Sequence, residues 1–458
     1  MKYLFLFLLS WITGHKLDMN FTSFTIVIIF SSICLFSSQP AFSQRLTQPG
    51  IEAPADDPSA VQGLRNRSGY GDVPQFGGPG SVGSQLKEDD LSKKPFKRFK
   101  IIDDFLTPWF EFKKKVDDKI GLAFGTDYTA IYQVVSVSPG EHDAAGGIWR
   151  AFGTLTLFGK ESGNTGAVIS KIEHRHKLGT EIVPQSLGFE VGYNGLVASP
   201  FNDLGWGLTN LYWQQKLFSG RLSFIAGIID VTDYLDVYGL INPWTHFSNL
   251  QFSTNPTIPA PNQGMGAALG AMITDNIYMI GSIADTNGDP TNQDDSIDSF
   301  FDDNEYFTHF EIGLVSSFER RYFDNVHITI WHADERKAAG TPDDWGIAFS
   351  AAKFIGDSVM PFFRAGYADD ITALLEATIA TGIGYFKQNN SDLFAIGFAW
   401  GRPADNSLDD QYTVEMFYRL QLSQNIAISP DIQLLINPAL NPDEDIIAVF
   451  GLRGRVAL

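Results

Sequence analysis

Charged residues recur at every second position inside apolar runs of this chain. Lys171, Glu173 and Arg175 do so in one run, Arg453 and Arg455 in another, and Glu415 and Arg419 share a third, while Arg364 stands between Phe362 and Gly366. Strand side chains alternate between two faces, so each run gathers its charges on one face and its apolar residues on the other. The clearest case is Gln411 to Leu422. There Tyr412, Val414, Met416, Tyr418 and Leu420 share a face opposite Gln411, Thr413, Glu415, Arg419 and Gln421. Such a polar face suits reversible hydrogen bonding to a polar solute in water, which needs no bond-making. Arginine is the favoured donor for such bonding because its planar fork of donors stays charged. The plainer reading is that opposed charges only satisfy one another in wall packing.

A face that is greasy on one side and polar on the other, repeated in strands of about ten residues from Gly121 onward, is the pattern of a closed transmembrane antiparallel barrel. The last stretch, Ile446 to Leu458, keeps the alternation to its end and is expected to seal the first strand. Connectors give the topology. Tight ones fall at Phe218 to Gly220, Thr274 to Asn276, Glu319 to Asn325, Ile355 to Ser358, Lys387 to Ser391 and Ser423 to Asn425. Between them lie Asp230 to Gln263, Asp285 to Asn304, Asp334 to Pro342, Gly401 to Asp410 and Ile436 to Asp445, with a short exception near Asp369. Short turns at one end and long loops at the other fit an outer-membrane barrel with periplasmic turns. The count is 16 or 17 strands, depending on Leu187 to Asn194; an even number is the bacterial rule, so that segment is dropped and about 16 strands are expected. Barrels of that size enclose a water-filled channel.

Composition agrees with this class. Of 458 residues 44% are apolar, yet past the N-terminus no run has the length of a spanning helix. A formal charge of -20 argues against nucleic acid as a partner. Residues 1–43 read as an export signal, with apolar runs Tyr3 to Ile12 and Phe21 to Phe36 before Pro40, Ala41, Phe42 and Ser43, and with Met1 or Met19 as the start. Cys34 lies in that signal, which leaves the mature chain without thiol chemistry. Residues 44–100 read as a disordered leader rich in Gly, Pro, Ser and Asn. Residues 101–120 read as an amphipathic helix on Phe105, Trp109, Phe112, Val116 and Ile120, expected at the periplasmic mouth, with a membrane-surface helix as the alternative. The barrel then occupies 121–458.

Three segments stand out between about Phe105 and Leu458: Lys171-Ile-Glu-His-Arg-His-Lys-Leu-Gly179, Asn210-Leu-Tyr-Trp-Gln-Gln-Lys216 and Asp285-Thr-Asn-Gly-Asp-Pro290. In kind and order they resemble the carbohydrate-selective porin family of the OprB type. The family's tryptophan-glycine-glycine stretch is not evident, and Leu458 stands where a terminal aromatic is common. The resemblance implies passive, weakly selective diffusion of mono- or disaccharides through a narrowed outer-membrane pore of Gram-negative type. Lys171, Glu173, Arg175, Arg364, Glu415, Arg419, Arg453 and Arg455 then become candidate pore-lining residues for sugar hydroxyls. The loop Asp230 to Gln263 is too apolar for an exposed tip and is expected to fold inward as a constriction, its Asp233, Tyr234, Asp236, Tyr238, Trp244 and Phe247 offering ring faces and acceptors to sugar or anchoring the loop to the wall.

No cofactor and no metal is expected. His174 and His176 share a face opposite the polar one, so interfacial packing is preferred to metal binding. Asp285, Asn287 and Asp289 imitate a calcium loop, but Gly288 is misplaced and Ser296 replaces the bidentate Glu; a loose divalent site bridging the acidic loop to lipopolysaccharide phosphates stays open. Gly264 to Gly270 misses the dinucleotide fingerprint. Expected partners are carbohydrate solutes and outer-membrane lipid and lipopolysaccharide, with homo-oligomerisation left open. The alternative function is a structural or surface-binding barrel with a plugged lumen. A glycosidase would need paired carboxylates, and Glu173 and Glu415 are explained as lumen charges.

Overall fold

The structure is a computed structural model that describes residues 76–91, 93–95, 100–356, 358–387 and 391–458. The segment read as an export signal, and the part of the expected leader up to residue 75, lie outside the described residues. Sixteen antiparallel strands, β1 (Leu122–Val135) to β16 (Ile446–Ala457), pair each with its chain neighbour, and β1 pairs with β16 to close a barrel. The seam runs from Asp127 opposite Ala457 to Val135 opposite Val449. Beyond it, Leu458 and Thr126 exchange N–H···O bonds of 2.8 and 3.0 Å. In hydrocarbon an unpaired amide costs several kcal/mol, roughly, so closure is the condition for spanning.

Alternation sorts the wall. Along β1, Asp127, Thr129, Ile131, Gln133 and Val135 are buried, whereas Tyr128, Tyr132 and Val134 are exposed on the outside. The outer rows of other strands carry Phe310, Ile330, Ile396, Phe398, Met416, Ile432, Phe450 and Leu452, an apolar belt. His174 and His176 also face outward, in a ring cluster with Tyr128 and Trp206. No group of ligating side chains among the described residues could hold a metal ion.

Connectors alternate as the turn chemistry requires, with one long loop the sequence reading did not give. Between β3 (Gly166–Lys177) and β4 (Gly205–Leu217) lie residues 178–204, which include the segment Leu187 to Asn194; there the chain makes a one-turn helix, Leu187–Glu190. Its apolar residues are buried because the loop folds over the interior, not because they belong to a strand.

The N-terminal region departs from expectation. Residues 76–91 lie within the span read as disordered, yet helix α1 (Val82–Asp90) is present there with Ser84, Gln85, Leu86, Glu88 and Asp89 buried. Its composition is polar because its surroundings are the polar inner face, so burial left no apolar stripe to read. Helix α2 (Lys100–Ile120) follows. It packs Trp109 and Phe112 against Phe124, at ring separations of 5.7 and 6.2 Å, on the outer side of β1 and not in the mouth. Gly121 ends it with φ 75°, where a Cβ would stand 2.3 Å from the Thr156 carbonyl oxygen.

The outer belt gives a direct test. Phe398→Arg, at mid-strand on β13 (Leu393–Pro403), should destabilise the barrel by about 2 to 4 kcal/mol, read as a lower urea midpoint. Phe398→Leu should leave it nearly unchanged.

Candidate functional site

Two loops enter the barrel and meet its charged inner face. Residues 230–263, between β5 (Leu222–Ile229) and β6 (Gly264–Met272), are buried almost throughout. An irregular segment has no ladder to satisfy its amides and carbonyls, so wall side chains must do so. On β11 (Val359–Ala368), Arg364 pairs with Asp236, donates to the carbonyls of Phe252 and Thr254, and lies 4.8 Å from the Tyr238 ring centroid. Asp236 also meets His327 Nε2 at 2.8 Å, and its amide donates to Glu311 Oε2 at 2.9 Å. On β14 (Gln411–Gln421), Glu415 accepts from the amides of Ser248 and Asn249 at 2.6 and 3.0 Å. From β16, Arg453 donates to the carbonyls of Pro243 (2.6 Å) and His246. Trp244 and Phe247 are buried, the latter among Phe252, Phe362 and Phe417.

Residues 178–204 cross from β3 to the far wall. Tyr193 shares a 2.8 Å hydrogen bond with Thr413, and Asn194 exchanges two with Gln411. Val197 accepts from Gln433 at 2.9 Å, which itself accepts from Asn249 of the other loop. The two loops are therefore joined through a wall residue and also directly, the Leu250 amide donating to the Leu196 carbonyl at 2.9 Å and Ser248 Oγ to the Val197 carbonyl at 3.1 Å.

A third element fills the short-turn end. Phe76 rests on Phe318 at 4.9 Å, while Arg321 and Tyr322 donate to the carbonyls of Phe76 and Gly77. Across the barrel, Glu88 meets Arg419 at 3.3 Å, and Asp89 takes two 2.8 Å bonds from Arg455. Lys93 and Lys94 then bond Gln424 and Ser391, side chains of the opposite turns. This segment is a strap from one side of the mouth to the other.

The sequence-derived residues thus divide. Arg364, Glu415 and Arg453 hold the long loop, and Arg419 and Arg455 hold the strap. Lys171, Glu173 and Arg175 on β3 form a separate group: Arg175 donates to Glu173 Oε2 at 2.8 Å, and Lys171 Nζ lies 3.8 Å from Glu173, 3.8 Å from Asp230 and 4.0 Å from Asp233. Arg150, on β2 (Asp143–Phe158), stands opposite Glu173 in the ladder and was not among the residues singled out. It pairs with Asp127 and lies 4.0 Å from the Trp244 ring centroid. Its neighbours explain the omission. Both faces of β2 are small or apolar around it, with Gly146, Ile148 and Phe152 inside and Gly147, Trp149 and Ala151 outside, so parity gave no contrast. Among the described residues, Arg150 Nη1 and Glu173 Oε1 have no hydrogen-bond partner although both are buried. A donor and an acceptor side by side are what a hydroxylated solute can engage.

Three carboxylates share Lys171, and that has a titration consequence. Burial pushes Asp233, on the infolded loop, up to about 7, against the pull of Lys171 and with Asp230 adding to the rise. A carboxyl raised in the folded state favours the protonated form there, so its contribution is full below the ordinary carboxylate range and is lost as pH rises toward 7. Protease resistance of the loop should therefore fall between about pH 4 and 7 and level off above that, and Asp233→Asn should flatten that dependence. Separately, Arg364→Ala leaves buried Asp236 without its guanidinium partner and with His327 alone, at a cost of up to about 3 to 5 kcal/mol. Limited proteolysis should then cut within 230–263 while heat-modifiable gel migration reports an intact barrel.

Comparison with known proteins places this geometry. Residues 343–458 match the family model described as carbohydrate-selective porin, OprB family. Porin AaxA of Chlamydia pneumoniae is 25% identical over 123 residues, which is 25% of this chain and 28% of that protein's length. A structure of Pseudomonas putida OprB at high pH superposes with a TM-score of 0.62 at 13% identity, covering 76% of this chain and 97% of that one; at that identity the likeness is one of fold. The chain thus resembles the carbohydrate-selective porin family, through a family-model match over its last seven strands, β10 to β16, and a barrel of the same fold throughout.

Proposed function

We propose that the chain is an outer-membrane porin through which carbohydrates, mono- or disaccharides, diffuse passively past a constriction built by the infolded loops. The observation that carries this reading is the family-model match over residues 343–458, a segment that includes Arg364, Glu415, Arg419, Arg453 and Arg455 on the inner wall. In this reading the solute exchanges its hydration for Arg150, Glu173, Arg175 and Lys171, while Trp244 offers a ring face for the apolar side of a pyranose. Binding is weak by design, because a channel ligand must leave as readily as it enters. Arg364, Glu415, Arg453, Asp236, Tyr238 and Phe247 act one step back, by fixing the loop.

A second reading is a barrel whose lumen stays plugged and which serves the envelope structurally. It is favoured by the strap, whose Glu88 and Asp89 occupy the guanidinium groups of Arg419 and Arg455.

Reconstitution separates the two. Vesicles carrying the full chain should swell in isosmotic monosaccharide or disaccharide and show sugar-dependent block of single-channel current. Folded protein that leaves vesicles impermeable to every sugar overturns the porin reading. Within a conducting protein, Glu173→Gln should weaken sugar block by roughly 5- to 150-fold, the span of the ~1 to 3 kcal/mol set by an unpaired buried polar group, with unchanged heat-modifiable migration.

A further inference from the structure

Helix α2 carries a surface that neither a barrel nor a pore requires. Its 21 residues make a rod of about 31 Å, and its apolar residues Phe105, Trp109, Phe112, Val116 and Ile120 recur at the spacing of one helical face. The protein covers only part of that face. Phe105 is 80% exposed, Phe112 50% and Ile120 55%. The helix is nevertheless held in place, by Lys113 on Asp90 at 2.7 Å and by Asp117, which accepts from Lys160 at 2.7 Å. Apart from the contact of Trp109 and Phe112 with Phe124, its attachments are made by polar residues, and Phe105, Phe112 and Ile120 stay exposed.

What the stripe meets follows from where it joins the wall. Trp109 and Phe112 touch Phe124, which belongs to the outward row of β1 with Tyr128 and Tyr132. That row continues the belt facing hydrocarbon, and at its short-turn end the stripe extends it sideways. We propose that α2 lies in the membrane–water interface at the short-turn end of the barrel, with Phe105, Phe112 and Ile120 set into the acyl boundary of that leaflet. The partner is therefore a lipid surface. This rests on the barrel spanning a bilayer and is independent of what passes through it.

The charge of the helix specifies the kind of attraction. Five lysines and five carboxylates lie between Lys100 and Ile120, so the segment has no net charge. Docking then depends on apolar burial and not on anionic headgroups, and it is insensitive to salt, unlike that of a polybasic helix.

Fluorescent labelling tests this on the full chain. With the single native cysteine removed by Cys34→Ser, the variants Phe105→Cys, Phe112→Cys, Lys114→Cys and Asp118→Cys are labelled with an environment-sensitive dye and reconstituted into phosphatidylcholine–phosphatidylethanolamine vesicles. A fraction of the lipid bears a nitroxide near the headgroup end of its chain. Quenching by nitroxide lipid should be at least threefold stronger at 105 and 112 than at 114 and 118, quenching by aqueous iodide should show the reverse order, and both should hold in 50 mM and 1 M NaCl. Equal iodide access at 105 and 114 overturns the proposal, as does a shielded 105 that forms a 105–105 disulfide between copies. Loss of this pattern only at high salt also overturns it. A protein that shows the expected quenching yet conducts no sugar refutes the porin reading alone.

Discussion

A strand edge left open in a bilayer would expose a row of N–H and C=O groups to hydrocarbon, where water cannot pair them. The ladder between β1 and β16 removes that edge, and everything else in the fold follows from its presence. Once closed, the wall has an outside that must be apolar and an inside that need not be. The alternation in each strand records this division residue by residue. Tyr132 and Leu452 face out while Gln133 and Arg453 face in, across the same seam.

The inside carries a second constraint of the same kind. Two long loops and the strap bring irregular backbone into the barrel, and their carbonyls and amides need partners as much as a strand edge does. Arginine is suited to that task, since one planar group can serve several carbonyls at fixed angles. Arg364 and Arg453 do so for the loop at 230–263, and Glu415 performs the complementary service for two amides. The inner charges are thereby divided between those that hold the infolded segments and those that pair among themselves on β3. On β2 and β3, Arg150 Nη1 and Glu173 Oε1 stand among the buried polar atoms without a hydrogen-bond partner.

The strap gives the short-turn mouth a different character from the long-loop one. At the long-loop end the covering segments return directly to adjacent strands and are fixed at both ends by the wall. The strap crosses the barrel on a few apolar residues such as Phe76 and Leu86, and is tied mainly by ion pairs and hydrogen bonds. The strap is therefore seated by polar complementarity more than by apolar packing.

How far the sequence could be read follows the reach of the interactions involved. Strand positions, the order of short and long connectors and the inward parity of Lys171, Glu173, Glu415 and Arg455 are set locally, by side-chain alternation and turn residues, and they were legible. Closure was legible as well, because the bilayer admits no open edge. The positions of Arg150, of residues 178–204 and of α1 were not. Each is decided by a surface that another part of the chain supplies: Trp244 and Asp127 for Arg150, the far wall at Thr413 and Gln411 for the loop, and Arg419 and Arg455 for the helix. The sequence by itself determined which face of each strand meets lipid. Only the tertiary structure decided which inner charges hold the chain's own backbone and which pair among themselves, because that depends on segments far apart in sequence meeting inside one closed wall.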